Sequence, residues 1–253
     1  MKTKISIITC CKNSLPYLKD NINSVKKQSF KNFEHLFILS KSKDNSERFL
    51  RKIKYKNKNI FNYENSNIYN CINFGIKKSK GNIIFLLHSD DFLSNNSIFE
   101  KVNCIFQDHK KIDYIYSDIA ITKRKNTSLI KRIWKNKNTI EGYFFPVFLP
   151  AHTSFFIKKK VFKKIGLYSE KYKISADFEF LIRLFKNKNI KGFYLKINSI
   201  FMRIGGLSSN SKYFLTKLSE DINILKKIYK IDFLLIYFLK ILRHISQIFL
   251  RKL

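Results

Sequence analysis

Residues 85–91, Phe85-Leu86-Leu87-His88-Ser89-Asp90-Asp91, join an apolar run to two carboxylates. A strand that ends this way sets hard oxygen ligands at the carboxyl edge of a sheet. Mg²⁺ or Mn²⁺ suits such a place, because it needs few protein carboxylates when phosphate oxygens supply the rest. The same pair could instead cap the turn or helix that follows. A second acidic pair, Asp177 and Glu179, opens a segment of helical periodicity over 176–186. On a helix these two side chains diverge by about 200°, so they cannot both serve one group. At a helix start, Asp177 would be kept ionised by the backbone dipole, or would simply act as the cap. Arg203 precedes Gly205-Gly206-Leu207-Ser208-Ser209. A cation beside such a loop fits closure over a diphosphate leaving group, and also an ordinary glycine turn.

These residues need a scaffold. Residues 5–10, 35–39, 83–87 and 113–119 read as apolar strands. Leu15, Leu18, Ile22 and Val25 behind Ser14, then Ile68, Ile72 and Ile76, then Ile98, Val102 and Ile105, recur at helical spacing. This alternation predicts an α/β fold with a mainly parallel central sheet flanked by helices, and ligands at the carboxyl ends of its strands. Residues 121–140 are polar and basic and read as a surface excursion. Beyond them come a strand at 153–157, a helix near 158–165 and one or two strands over 193–204. Residues 1–212 form the α/β domain, and 213–253 a C-terminal helical extension. There Ile231, Phe233–Ile236, Phe238, Leu239, Ile241 and Leu242 interleave with Lys240, Arg243, Arg251 and Lys252. Its longest apolar run, 233–239, is too short to span a bilayer. A basic, apolar helix of this kind fits an anionic lipid surface, or packing on the domain or a partner subunit.

The 253 residues carry 50 Lys+Arg against 18 Asp+Glu, a formal charge of +32. Charge alone would suggest a polyanion partner. Yet 42 of the cations are Lys and 8 are Arg, whereas nucleic-acid readers favour Arg. No reading module accompanies the charge, so nucleic acid is not expected as a partner. Four cysteines without a CxxC spacing argue against structural zinc and a disulfide framework, and fit a reduced cytoplasm.

Five ordered segments resemble the family 2 glycosyltransferases of GT-A (Rossmann-like) fold that build bacterial polysaccharide and lipopolysaccharide. They are Ser6-Ile7-Ile8-Thr9 through Asn13; Asn67-Ile68-Tyr69-Asn70 through Asn73-Phe74-Gly75-Ile76; Gly81 through Asp91; Pro150-Ala151-His152-Thr153-Ser154 with Gly166-Leu167-Tyr168 through Glu179; and Gly205-Gly206-Leu207-Ser208. The resemblance implies an inverting, metal-dependent transfer of a sugar from a nucleotide-sugar to a saccharide acceptor, lipid-linked in many such pathways. Together with the cysteine pattern and the basic, apolar C-terminal helix, this leads to the expectation of a cytoplasmic enzyme held at the inner face of the membrane by that helix.

Residue by residue, the resemblance gives Asp90 the last place of the D-x-D motif, the Mn²⁺ or Mg²⁺ ligand, with Asp91 beside it. Asp177 takes the place of the catalytic carboxylate, the base that removes the acceptor hydroxyl's proton. His152 and Glu179 fall on the acceptor side. Cys10, Lys12, Ser40, Asn73, His88 and Arg203 fall on the donor side. Here the chain departs from the pattern: His88 replaces the first Asp of D-x-D, Ser40 an Asp after the second strand, Asn70 the Asp of I-Y-D, and Lys12 an aromatic contact to the base. A nucleotidyltransferase of related fold is the rival reading. It calls for a Gly-rich loop after the first strand, and residues 11–17 contain no Gly.

Overall fold

The computed structural model describes residues 3–65, 67–136, 145–206 and 211–249, with 244–249 as helix backbone. The first half runs β1 (Ile5–Cys11), α1 (Leu15–Lys26), β2 (Phe33–Leu39), α2 (Ser46–Lys52), β3 (Lys58–Asn62), α3 (Ile68–Lys78), β4 (Ile83–Leu86), β5 (Phe92–Leu93) and α4 (Ile98–Asp108). The second half runs β6 (Tyr114–Thr122), β7 (Ile130–Trp134), β8 (Phe156–Lys158), α5 (Lys159–Ile165), α6 (Ala176–Lys186), β9 (Gly192–Arg203), α7 (Phe214–Tyr229) and α8 (Phe233–Phe249).

The strands form one sheet in the order β3-β2-β1-β4-β8-β6-β9-β5, with β7 paired to β6. β3, β2, β1 and β4 are parallel, as are β6 and β9, while β8 runs against both β4 and β6. The register aligns Ile5 with both Phe33 and Ile83, so β1, β2 and β4 deliver their carboxyl ends to one edge. Continuous apolar sequence is what these central strands need, because both faces are covered. On one face, α1, α2 and α4 bury Leu18, Ile22, Leu50, Phe99 and Val102 against Ile5, Ile7 and Cys11. On the other, α3, α5, α6 and α7 pack around Ile8 and Leu36. The adjacent Cys10 and Cys11 therefore part to opposite faces, as their spacing predicts. Gly75 lets α3 lie directly on β1: a Cβ there would stand 2.6 Å from Ile8 Cγ2.

Several expectations need revision. Within residues 121–140, β6 continues to Thr122 and forms an antiparallel hairpin with β7; 137–140 lie outside the described residues. Ile130, Ile133 and Trp134 carry that strand, masked in sequence by Lys131 and Arg132. The strand expected at 153–157 shortens to Phe156–Lys158 behind a 3₁₀ turn at His152–Ser154. Ser14 stands at the start of α1 but makes no side-chain cap bond. Asp44 Oδ2, reaching across from the loop after β2, accepts from Leu15 N at 2.9 Å instead.

The C-terminal helices share the domain's core: Ile224, Leu225 and Ile236 are buried in the cluster that holds α6. Lys240, expected at the surface, turns inward to Asp221 at 2.8 Å and lies 3.3 Å from the centroid of the Phe178 ring. Arg243 likewise turns inward and donates to the Val147 carbonyl. An apolar stripe of Ile231, Leu234, Leu235, Phe238, Ile241 and Leu242 is left exposed on α8 and the turn before it. Leu250, Arg251 and Lys252 lie outside the described residues. Among the described residues no helix is long and apolar enough to cross a membrane.

Candidate active site

β4 ends at Leu86, and the chain turns through His88–Asp91, with Asp91 N donating to the His88 carbonyl at 3.0 Å. Asn21 on α1 fixes this turn by donating to the carbonyls of both His88 and Asp91. The two carboxylates then part company. Asp91 is buried, and its Oδ1 accepts from Arg203 N at 3.1 Å. Burial, then the neighbouring Asp90, push its carboxyl well above the usual range, against Arg203 and Arg124. Asp90 is partly open, and its Oδ2 accepts from Arg124 Nη1 at 3.1 Å.

Arg203, expected as a cation for the diphosphate, has a side chain only 4% exposed. Its guanidinium donates to the Asp90 carbonyl and to the Asp20 carboxylate, and lies between the rings of Tyr17 and Phe92. It braces the acidic turn from beneath. Of the loop after it, Leu207, Ser208 and Ser209 lie outside the described residues. Arg124, just past β6, was not singled out in the sequence. The only signal was its place at a strand's carboxyl end inside a basic stretch.

Asp177 sits in the first turn of α6. Its Oδ2 accepts from His152 Nδ1 at 2.8 Å, and its Oδ1 lies 3.0 Å from the Tyr69 hydroxyl. His152 Nε2 in turn lies 2.9 Å from His88 Nε2. A hydrogen-bonded chain thus runs from the first position of the acidic motif to the carboxylate of α6. Burial alone would raise the Asp177 carboxyl. The charge and hydrogen bond of His152, with Lys217 and Tyr69 helping, outweigh it and hold the group below the usual carboxylate range. Burial, then His152, hold His88 below the ordinary imidazole range.

The approach to α6 is set from α7: Glu220 accepts from the backbone N–H groups of Lys173, Ile174 and Ser175 at 2.7–3.0 Å. Glu179 does not join Asp177. Its carboxylate is held bidentately by Arg183, at 2.7 and 2.8 Å, and Arg183 also binds the carbonyls of Ile165 and Leu167.

On the donor side, Cys10, Lys12 and Ser40 gather where β1 and β2 end. Ser40 Oγ donates to the carbonyls of Tyr63 and Asn65 and lies 3.5 Å from Cys71 Sγ. Cys10 and Cys71 are coupled electrostatically. That coupling raises Cys10 and, with Ser40 and Lys12 against the effect of burial, brings Cys71 down to about 7. Lys12 is exposed beside them. Asn73 is buried and exchanges hydrogen bonds with the Tyr168 backbone, with a further bond to Glu170. It joins α3 to the segment before α6.

Among the described residues no three His, Cys, Asp or Glu side chains converge on a cation. What Asp90 offers is a single carboxylate, one oxygen engaged by Arg124, beside an imidazole. That set fits Mg²⁺ or Mn²⁺ when a diphosphate completes the shell. Asp91 lies buried behind Asp90, with Oδ1 taken by Arg203 N and Oδ2 given no hydrogen-bond partner among the described residues.

The family described as Glycosyl transferase family 2 matches residues 6–166. The chain is 26% identical over 239 residues to an uncharacterized glycosyltransferase of Haemophilus influenzae, covering 89% of this chain and 92% of that one. Other curated relatives are longer, and the chain spans 60% of their length. Among solved structures, S. aureus TarS 1-349 in complex with UDP-GlcNAc superposes with a TM-score of 0.72 at 18% identity, over 89% of this chain and 65% of that one. The mannosyltransferase PcManGT of Pyrobaculum calidifontis, in complex with GDP-Man and Mn²⁺, gives 0.63 at 8% identity, over 91% and 65%. At these identities the likeness is one of fold.

Proposed function

The chain belongs to glycosyl transferase family 2, and from that premise we propose that it moves a sugar from a nucleotide-sugar to a saccharide hydroxyl with inversion. The observation that carries this reading is the link from His88 through His152 to Asp177, which ties a carboxylate to the acidic end of β4. The acceptor oxygen forms a bond to the anomeric carbon as the bond to the diphosphate breaks. The electron pair leaves with the diphosphate, and the acceptor's proton passes to Asp177 Oδ2. His152 orients that carboxylate and hands it over as the hydroxyl enters. Asp90, with diphosphate oxygens, would hold Mn²⁺ or Mg²⁺, which neutralises charge on the leaving group. Cys10, Lys12, Ser40 and His88 line the donor side. Asn73, Glu179 and Arg203 act by holding the segments around them. Fold neighbours complexed with UDP-GlcNAc and with GDP-Man and Mn²⁺ support a nucleotide-sugar donor and a divalent ion.

The acceptor is a lipid-linked saccharide of cell-surface polysaccharide, met at the inner face of the cytoplasmic membrane. The support is the exposed stripe on α8, with Ile231 89% exposed, beside exposed Lys226, Lys227 and Lys230. The lipid-facing cations are thus these lysines, while Lys240 and Arg243 serve inside. Thermal-shift screening of UDP-, GDP- and dTDP-sugars with and without Mn²⁺ tests the reading. One donor should stabilise the fold, and no response to any would refute it. Co-sedimentation with phosphatidylglycerol vesicles tests the membrane contact, which Leu234→Gln with Phe238→Gln should abolish.

A further inference from the structure

Arg124 touches three separate parts of this edge. Its Nε donates to the Tyr17 hydroxyl of α1 at 2.8 Å, and its guanidinium lies 4.5 Å from the Tyr17 ring centroid. Its Nη1 donates to Asp90 Oδ2 at 3.1 Å and to the carbonyls of Ile204 and Gly205 at 3.1 and 3.4 Å. The carboxylate that would receive a divalent ion is already paired with a cation held on four partners. Two cations crowded on one carboxylate repel each other unless further negative charge is present. A nucleoside diphosphate brings that charge, and its oxygens offer a guanidinium a bidentate partner at least as good as Asp90.

We propose that Arg124 is a positioning residue that reserves Asp90, opposing a divalent ion there until a nucleoside diphosphate arrives and draws the guanidinium away. This rests on the reading of Asp90 as the metal ligand. Metal and nucleotide binding are then linked, and each strengthens the other by the same factor. As the guanidinium moves it also releases the carbonyls of Ile204 and Gly205.

The test is Mn²⁺ binding to the full chain, followed by the electron paramagnetic resonance of free Mn²⁺, without nucleotide and with UDP or GDP. The proteins are the wild type, Arg124→Gln and Asp90→Asn. The wild type should bind Mn²⁺ about tenfold more tightly with one of the nucleotides. Arg124→Gln should bind Mn²⁺ alone about tenfold more tightly than the wild type, with nucleotide adding correspondingly less than it adds to the wild type. Equal affinities of the two proteins for Mn²⁺ alone overturn the proposal. So does a wild-type affinity indifferent to both nucleotides, a result that needs no variant to fold. Binding that survives unchanged in Asp90→Asn overturns the Asp90 reading itself, and the proposal with it.

Discussion

His152 Nδ1 lies 2.8 Å from Asp177 Oδ2, while the other nitrogen of the same ring lies 2.9 Å from His88. One imidazole therefore spans two segments that the chain brings in separately, the turn after β4 and the start of α6. Replacing Asp177 by Asn should lower kcat by about 10³-fold and leave donor binding nearly intact. His152→Ala should lower kcat by about 10²-fold through loss of orientation. Steady-state kinetics with a responsive donor decides, and a His152 variant with wild-type kcat would remove the imidazole from the mechanism.

The neighbouring carboxylates should separate cleanly. Asp90→Asn should abolish Mn²⁺-dependent tightening of nucleotide binding while changing Tm by only a few degrees. Asp91→Asn should keep the metal response and register in thermal melting, because Asp91 is buried against Arg203 N. Loss of the metal response in the Asp91 variant would contradict this division.

A pH limb should trace to His35. Its ring is fully buried between Thr9 Oγ1 at 2.8 Å and the Tyr55 hydroxyl at 3.3 Å. Thr9 gives its proton to the Leu87 carbonyl, so it accepts from His35 Nε2–H, and Nδ1 accepts from Tyr55. Burial lowers this imidazole to about 3. Between pH 3 and 6.5 the unfolded chain binds a proton that the folded chain refuses. Stability from this group is complete above pH 6.5 and falls below it by about 1.4 kcal/mol per pH unit. Urea melts of His35→Gln between pH 4 and 7 should lose that slope, and an unchanged slope assigns it elsewhere.

Asp221 carries the inner end of α8. It is buried and its Oδ2 meets Lys217 and Lys240, both at 2.8 Å. Asp221→Asn takes from two lysines the carboxylate they share and should cost about 3 kcal/mol at pH 7. Burial lowers Lys240 to about 8, so the loss should shrink by pH 9, where that lysine sheds its proton. A pH-independent loss would count against the ion cluster as its cause.

Much of this was legible because it is local. The apolar runs of β1, β2 and β4 dictate a buried parallel core, and the break at His88 marks the edge of the candidate site. Direction was not legible. Asp90 and Asp91 are identical in sequence terms, and only the path of β9, bringing Arg203 N to one of them, tells them apart. Lys240 reads as a lipid contact until Asp221, nineteen residues earlier, claims it from the inside. The short β5 and the polar β3 offer too few apolar residues to signal themselves. Arg124 gave no motif, since its meaning arises from Asp90, Tyr17 and the 204–205 backbone together.

Glu220 on α7 holds the backbone just ahead of Asp177, and Lys240 on α8 lies against the ring of Phe178, the residue that follows it. Asp177 is therefore seated by helices that follow the rest of the cleft in chain order. The alignment of Asp177 and the exposed apolar stripe thus rest on the same pair of helices, so a disturbance of one is felt at the other.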